Sequence, residues 1–239
     1  MNTTRINSGS TKMIAHRGLS GLERENTNIA FVAAGNRSYF GVETDIHCTA
    51  DGDLIIIHDD TTTRVSGVEL VVEEQTFAAL RSIKLLDTDG AGVREDLRMP
   101  SLEEYIGICK KYEKTCVLEL KNPMEEAQVR QIIDRIEALG YLDEVIFISF
   151  CFENLVYVRN YRPTQRAQYL FKVFTEEVVA KMKAHRFDVD VYYKSLTEEL
   201  IADLHAQGFE VNCWTVDDPA VAEQLVSWGV DYITTNILE

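Results

Sequence analysis

A chain of 239 residues, 46% of them hydrophobic, can bury a large core, and α/β barrels of roughly this size form one domain, so a single domain over residues 1–239 is expected. Its 24 basic and 39 acidic side chains leave a formal charge of −15, which repels nucleic acid and anionic lipid over a Debye length of about 8–10 Å and points to a small soluble partner. No stretch reaches the ~18 apolar residues of a membrane span, the polar first twelve residues lack a signal peptide's apolar centre, and five cysteines without a C-x-x-C pair read as reduced core thiols of a cytoplasmic protein.

Short β-branched and aromatic runs alternate with amphipathic stretches, the pattern of βα units around a parallel sheet. The first strand, 13–16, ends at His16-Arg17-Gly18. Glu25-Asn26-Thr27 opens a helix over 27–34 with Asn26 or Thr27 as its cap, and Asn26 reads equally as a residue that holds His16 or reaches a substrate. The second strand, 41–48, carries Glu43-Thr44-Asp45, and the third, 54–58, ends at His58-Asp59. Only Ala50-Asp51-Gly52-Asp53 separates them, too little for a parallel crossover, so the third strand returns antiparallel. With Asp51-Gly52 as a two-residue type I′ turn, paired residue numbers sum to 103, Asp45 faces His58, and Glu43 shares that face.

Residues 60–100 are too long for a barrel loop and read as an insertion over the mouth, with a helical patch near 77–85. Its Phe77, Leu80, Ile83, Leu85 and Leu86 suit either a long apolar groove or an amphipathic helix packed on the barrel. The alternation then resumes. Helices are expected at 101–112, 125–139, 153–160, 175–185, 197–207 and 219–228, and strands at 115–120, 145–150, 168–173, 189–193, 210–216 and 232–235. Ser101, Thr175 and Thr197 serve as N-caps, and Gly140 and Gly208 as C-terminal stops. Setting aside the hairpin return leaves eight parallel strands, a (β/α)8 TIM barrel with an insertion after the second-strand hairpin.

The strand ends carry the chemistry, because barrel active sites sit at the C-terminal rim. Glu43, Asp45 and Glu119 form a carboxylate trio that would repel itself unless neutralised, and all-oxygen ligands favour Mg²⁺ or Ca²⁺. The alternative is an internal ion network with Arg17 and Lys121. As phosphate clamps, Arg17 offers a bidentate fork and Lys121 a point charge. His16 and His58 offer an acid and a base. This inventory suits metal-assisted attack on a phosphate ester. His47 takes a rim position without a catalytic role, His185 and His205 sit at helix C-termini as structural residues, and Trp214 either walls the pocket or fills the barrel core.

The segments IAHRG, ENT, GVETDIHCTADGDLIIIHDDTTTRVSG, PSLEEY, LELK, ISF and NCWTVDD together resemble the glycerophosphodiester phosphodiesterase family across most of the chain. The resemblance implies hydrolysis of glycerophosphodiesters to glycerol 3-phosphate and an alcohol. It makes His16 and His58 the acid/base pair, Glu43, Asp45 and Glu119 the metal ligands, and Arg17 and Lys121 the phosphate contacts. A related phosphodiesterase acting on lysophospholipids would need the same residues, and a catalytically silent barrel that binds phosphate esters is the alternative from another class. The family often ends its last strand with Thr-Asp-x-Pro, whereas this chain has Thr235-Asn236-Ile237-Leu238, so the mouth is expected to differ there.

Overall fold

The computed structural model describes residues 2–88, 90 and 92–239. Its strands are β1 (Lys12–Ala15), β2 (Gly41–Cys48), β3 (Leu54–Ile56), β4 (Thr115–Leu120), β5 (Val145–Ser149), β6 (Arg166–Phe171), β7 (Asp188–Tyr192), β8 (Val211–Trp214) and β9 (Tyr232–Thr235). They join in the order β1-β9-β8-β7-β6-β5-β4-β2-β3, and a β1–β2 pairing closes the ring. Because β3 is bound antiparallel to β2, the other eight strands form a closed parallel barrel.

Helices α1 (Asn28–Gly35), α2 (Thr63–Ser66), α3 (Phe77–Ser82), α4 (Leu102–Lys111), α5 (Glu126–Ala138), α6 (Phe152–Tyr161), α7 (Glu176–His185), α8 (Glu198–Ala206) and α9 (Pro219–Ser227) complete the fold. The periodicity explains their docking. In α4 the buried residues are Leu102, Tyr105, Ile106 and Cys109, and in α5 Val129, Ile132, Ile133 and Ile136, both the i, i+3, i+4, i+7 stripe of a helix with one apolar face. The expected caps are in place: Ser101 forms a capping box with Glu104, and Thr175 and Thr197 accept from the Val178 and Leu200 amides. Among the described residues, no helix is long and apolar enough to cross a membrane.

The hairpin register differs from expectation. Ile46 pairs with Ile56, His47 with Ile55 and Cys48 with Leu54, so paired numbers sum to 102 and Asp45 does not face His58. The turn has three residues rather than two. The Gly52 amide donates to the Thr49 carbonyl at 2.9 Å, and Gly52 itself has φ +79°, the left-handed position that ends a three-residue hairpin loop. The strand stops at Ile56, leaving His58 in the loop beyond it.

Among the described residues of 60–100, several apolar side chains form a cluster of their own, while Val68, Val71 and Val93 are exposed. Leu80, Leu85, Leu97 and Met99 pack on Ile55 and Ile57, with Phe77 and Ile83 against the edge, while Leu86 is half-buried and bridges to Val93. These residues therefore pack on the hairpin, and none of them is among the residues that line the cavity at the barrel rim. Inside the barrel, Ile14, Val117, Ile146, Leu170 and Tyr232 fill the lumen, so open space is confined to the C-terminal rim.

Candidate active site

A cavity of about 120 Å³ at that rim is lined by His16, Arg17, Glu43, His58, Glu119 and Trp214, together with Ile148, Phe150, Leu170 and Asp190. The loop after β1 enters it with Arg17 at φ +54° and Gly18 at φ +75°. A Cβ on Gly18 would lie 2.7 Å from Ala30, so only glycine lets this turn seat against α1. The turn aims the Arg17 backbone amide at Glu43 Oε2, 2.8 Å away.

Glu43 and Asp45 project from the same face of β2, and Asp45 is the register partner of Glu119 on β4. One carboxylate oxygen from each lies within 4.8 Å of the others, and all three residues are buried. Arg17 Nε and Lys121 Nζ each approach Asp45 to 3.5 Å, and Lys121 reaches Glu119 at 2.8 Å. Burial alone would raise the Asp45 pKa, but Arg17, then Lys121, hold it well below the usual carboxylate range. The two cations do not satisfy the whole trio. Burial and then the Asp45 charge push Glu43 well up and Glu119 up to about 7. Asp45 Oδ1 is buried without a hydrogen-bond partner. Unrelieved negative charge and a buried carboxylate oxygen that accepts no hydrogen bond fit a metal ion, so the trio could hold one beside the ion pairs.

The two candidate histidines hold their Nδ1 atoms against different partners. His58 Nδ1 lies 2.7 Å from Asp59 Oδ1, whereas His16 Nδ1 lies 2.8 Å from Asn236 Oδ1. A neutral ring that donates from Nδ1 leaves Nε2 as its acceptor. Burial, then the Arg17 charge, lowers His16 to about 4; burial also lowers His58, against the opposing pull of Asp45.

Asn26 does not touch His16. Its Nδ2 donates to Asp45 Oδ2 at 2.8 Å, and its Oδ1 accepts from the Thr44 hydroxyl at 2.7 Å, while Thr27 caps α1. Asn26 thus fixes the central carboxylate. Trp214 stands at the cavity wall, edge-on to Phe150 with centroids 5.6 Å apart. His47, fully buried, pairs with Glu73 at 3.0 Å and lies 3.5 Å from the His58 carbonyl, which ties the His58 loop to the hairpin. His185 stacks on Phe187, and His205 pairs with Asp231.

Two further charged side chains stand around the site. Arg64, from the 60–100 segment, makes bidentate contacts to Glu25 and to Asp59 at 2.6–3.0 Å, bracing the His58 loop against the Arg17 loop. Asp190 is buried on β7 with Oδ1 unpartnered; its only sequence signature is an acid between Val189 and Val191, whose side chains face the helices. Burial, with Glu119 adding, pushes the Asp190 carboxyl well up.

The Glu25 network makes a stability prediction. Burial would raise the Glu25 pKa, but the Arg64 hydrogen bonds and Arg17 outweigh it and hold Glu25 at about 2, against 4.5 unperturbed. A depressed folded-state pKa stabilises above the unfolded value and is lost as pH falls from about 4.5 to about 2. At ~1.4 kcal/mol per pKa unit this is about 3 kcal/mol. Glu25→Gln should lose that order of stability at neutral pH in chemical denaturation, with the gap to wild type closing below pH ~4. A gap that stays constant down to pH ~2 would rule out this linkage.

The sequence profile of the glycerophosphoryl diester phosphodiesterase family matches residues 16–239. A glycerophosphodiester phosphodiesterase of Caldanaerobacter subterraneus is 28% identical over 234 residues, covering 95% of this chain and 94% of the relative. An Oleispira antarctica phosphodiesterase, solved in complex with its product sn-glycerol-3-phosphate, superposes with a TM-score of 0.83 at 22% identity, covering 98% of this chain and 96% of that one. A Silicibacter pomeroyi structure described as a glycerophosphoryl diester phosphodiesterase gives 0.87 at 22% identity, over 95% and 90%. The structures agree in the barrel and the profile spans the whole rim, from His16 to the strand beside Asn236: the chain belongs to the glycerophosphoryl diester phosphodiesterase family.

Proposed function

We propose that this family hydrolase cleaves glycerophosphodiesters to glycerol 3-phosphate and an alcohol. In this reading His16 and His58 are the acid/base pair, Glu43, Asp45 and Glu119 hold a divalent cation, Mg²⁺ or Ca²⁺, and Arg17 and Lys121 contact the phosphate. The observation that carries it is the convergence of both imidazoles with Glu43 and Glu119 on one cavity, with an Asp45 oxygen within 4.8 Å of both acids. The product bound by the Oleispira phosphodiesterase is the product expected here.

An ion in the trio supplies electrostatic stabilisation for charge developing on a non-bridging phosphate oxygen. The chain's own groups do the rest. The Arg17 guanidinium and Lys121 ammonium, already paired with Asp45, add positive charge beside the phosphate. One histidine takes the proton of the attacking hydroxyl as the new P–O bond forms: water gives glycerol 3-phosphate directly, whereas the neighbouring glycerol hydroxyl gives a cyclic phosphate that a water must then open. The other enters the step protonated at Nε2 and gives that proton to the alcohol oxygen as its P–O bond breaks. The Trp214 Nε1 and Asp190 Oδ1 atoms, without hydrogen-bond partners among the described residues, are left for substrate hydroxyls.

Leu80, Leu85, Leu97 and Met99 of the 60–100 segment are buried against the hairpin and are not among the residues that line the rim cavity, which favours short diesters over lysophospholipids. The test is glycerol 3-phosphate release from glycerophosphocholine and glycerophosphoethanolamine, followed through a coupled dehydrogenase with Mg²⁺, Ca²⁺ or EDTA. Release that needs a metal, and falls when an acyl chain is added to the substrate, is expected. No release with either metal would overturn the assignment.

A further inference from the structure

We propose that Asp217, acting through the side-chain amide of Asn236, sets the tautomer of His16; this rests on the acid/base reading above. Asp217 follows β8 and Asn236 follows β9, so the relay spans two strand ends before reaching the β1 loop. Asp217 Oδ1 accepts from the Asn236 backbone amide at 2.7 Å and the Thr235 hydroxyl at 2.9 Å, and its Oδ2 accepts from Asn236 Nδ2 at 2.6 Å. Asn236 Oδ1 in turn faces His16 Nδ1 at 2.8 Å and the Ser20 hydroxyl at 2.7 Å.

An amide side chain can flip with little change of shape, so only its partners decide its orientation. An ionised carboxylate accepts and cannot donate. Asp217 therefore admits only the NH₂ end of Asn236, which turns the carbonyl end toward His16. Nδ1 must then carry the proton, and Nε2 keeps its lone pair for the cavity. His58 reaches the same state through a direct carboxylate, Asp59; His16 has its carboxylate one residue removed. Asp217 and Asn236 are positioning residues.

Asp217→Asn tests this without emptying the space. The Asn236 backbone N–H cannot rotate, so it fixes the new amide with its oxygen in the Oδ1 place and its NH₂ against Asn236. Asn236 must flip, presenting NH₂ to Nδ1 and forcing the proton of His16 onto Nε2. In long-range ¹H–¹⁵N spectra of the neutral ring, wild type should show Nδ1–H and D217N should show Nε2–H. Its kcat should fall about 10–100-fold, the usual size for a lost outer partner of a site histidine, with KM within about twofold. Adding Asn236→Asp to D217N gives Nδ1–H a carboxylate again, and should restore both the tautomer and most of kcat. N236A, which leaves the Asp217 contact to Thr235 in place, serves as the second variant and should show mixed tautomers. Retention of Nδ1–H in D217N and N236A, or a double variant no faster than D217N, would overturn the relay. If wild type turns over no diester, the functional reading fails while the spectra still decide the tautomer.

Discussion

Replacing either His16 or His58 by alanine should lower kcat by ~10²-fold or more, the usual cost of a missing acid or base. Neither ring is packed in the core: His16 and His58 side chains are 19% and 33% exposed, so the variants should unfold close to the wild-type temperature. The pair should also be strongly non-additive. If one ring takes a proton and the other delivers one in the same displacement, removing either already disables the step, and H16A/H58A should be little slower than the worse single variant. His205→Ala supplies the contrast, since that ring pairs with Asp231 before β9, at the far end of the barrel, and its kcat should match wild type. Wild-type turnover in purified H16A or H58A would remove that histidine from the mechanism.

The barrel was legible because its signals are local. Strand runs, the apolar stripes of α4 and α5 and the caps at Ser101, Thr175 and Thr197 each depend on residues within a few positions, and each appears where the pattern puts it. The hairpin shows the limit of such reading. Asp-Gly suits both a two-residue turn and the end of a three-residue loop, and the choice shifts every pair by one residue. Sequence alone does not make that choice. The Thr49 hydroxyl does bias it, by binding Asp51 Oδ1 at 2.6 Å and the Asp53 amide at 3.0 Å, contacts that favour the longer loop. His58 still reaches the cavity because the chain runs on past Ile56 along the rim.

The site divides along similar lines. The residues proposed to meet the reacting groups, His16, Glu43, Asp45, His58 and Glu119, sit in compact motifs at strand ends and are legible in the sequence. Residues that orient them are distant in sequence. Asn236 meets His16 across 220 positions, and its amide drew attention only as a missing charge at the end of the last strand. That charge is supplied by Asp217. Arg64 came from a segment whose fold no periodic pattern specified, and Asn26 was visible as a cap candidate while its partner, Asp45, was not. Asp59 stood beside His58 throughout, yet adjacent side chains meet only when the backbone bends, as it does after β3.

Asp45→Asn should cost about 10³-fold in activity, because Asp45 is the one acid of the trio that Arg17, Lys121 and Asn26 all approach, while its Oδ1 accepts no hydrogen bond and has only the Lys121 charge at 3.5 Å, and a lost ion forfeits several kcal/mol of charge stabilisation. Stability supplies a readout independent of turnover. Glu119, unperturbed at 4.5, is raised to about 7 by burial and the Asp45 charge, with Lys121 opposing. A raised folded-state pKa stabilises below the unfolded value, and that contribution is lost as pH rises from about 4.5 to about 7. The metal-free protein should therefore lose on the order of 3 kcal/mol across that window from this group. Saturating Mg²⁺ or Ca²⁺ should restore it, since an ion at ~100 times its Kd adds about 2.7 kcal/mol to the folded state. Glu119→Gln should lack the decline, and D45N should lack the metal response. Should the ion raise Tm equally in D45N and wild type, it binds elsewhere, and Arg17 and Lys121 alone would neutralise the trio.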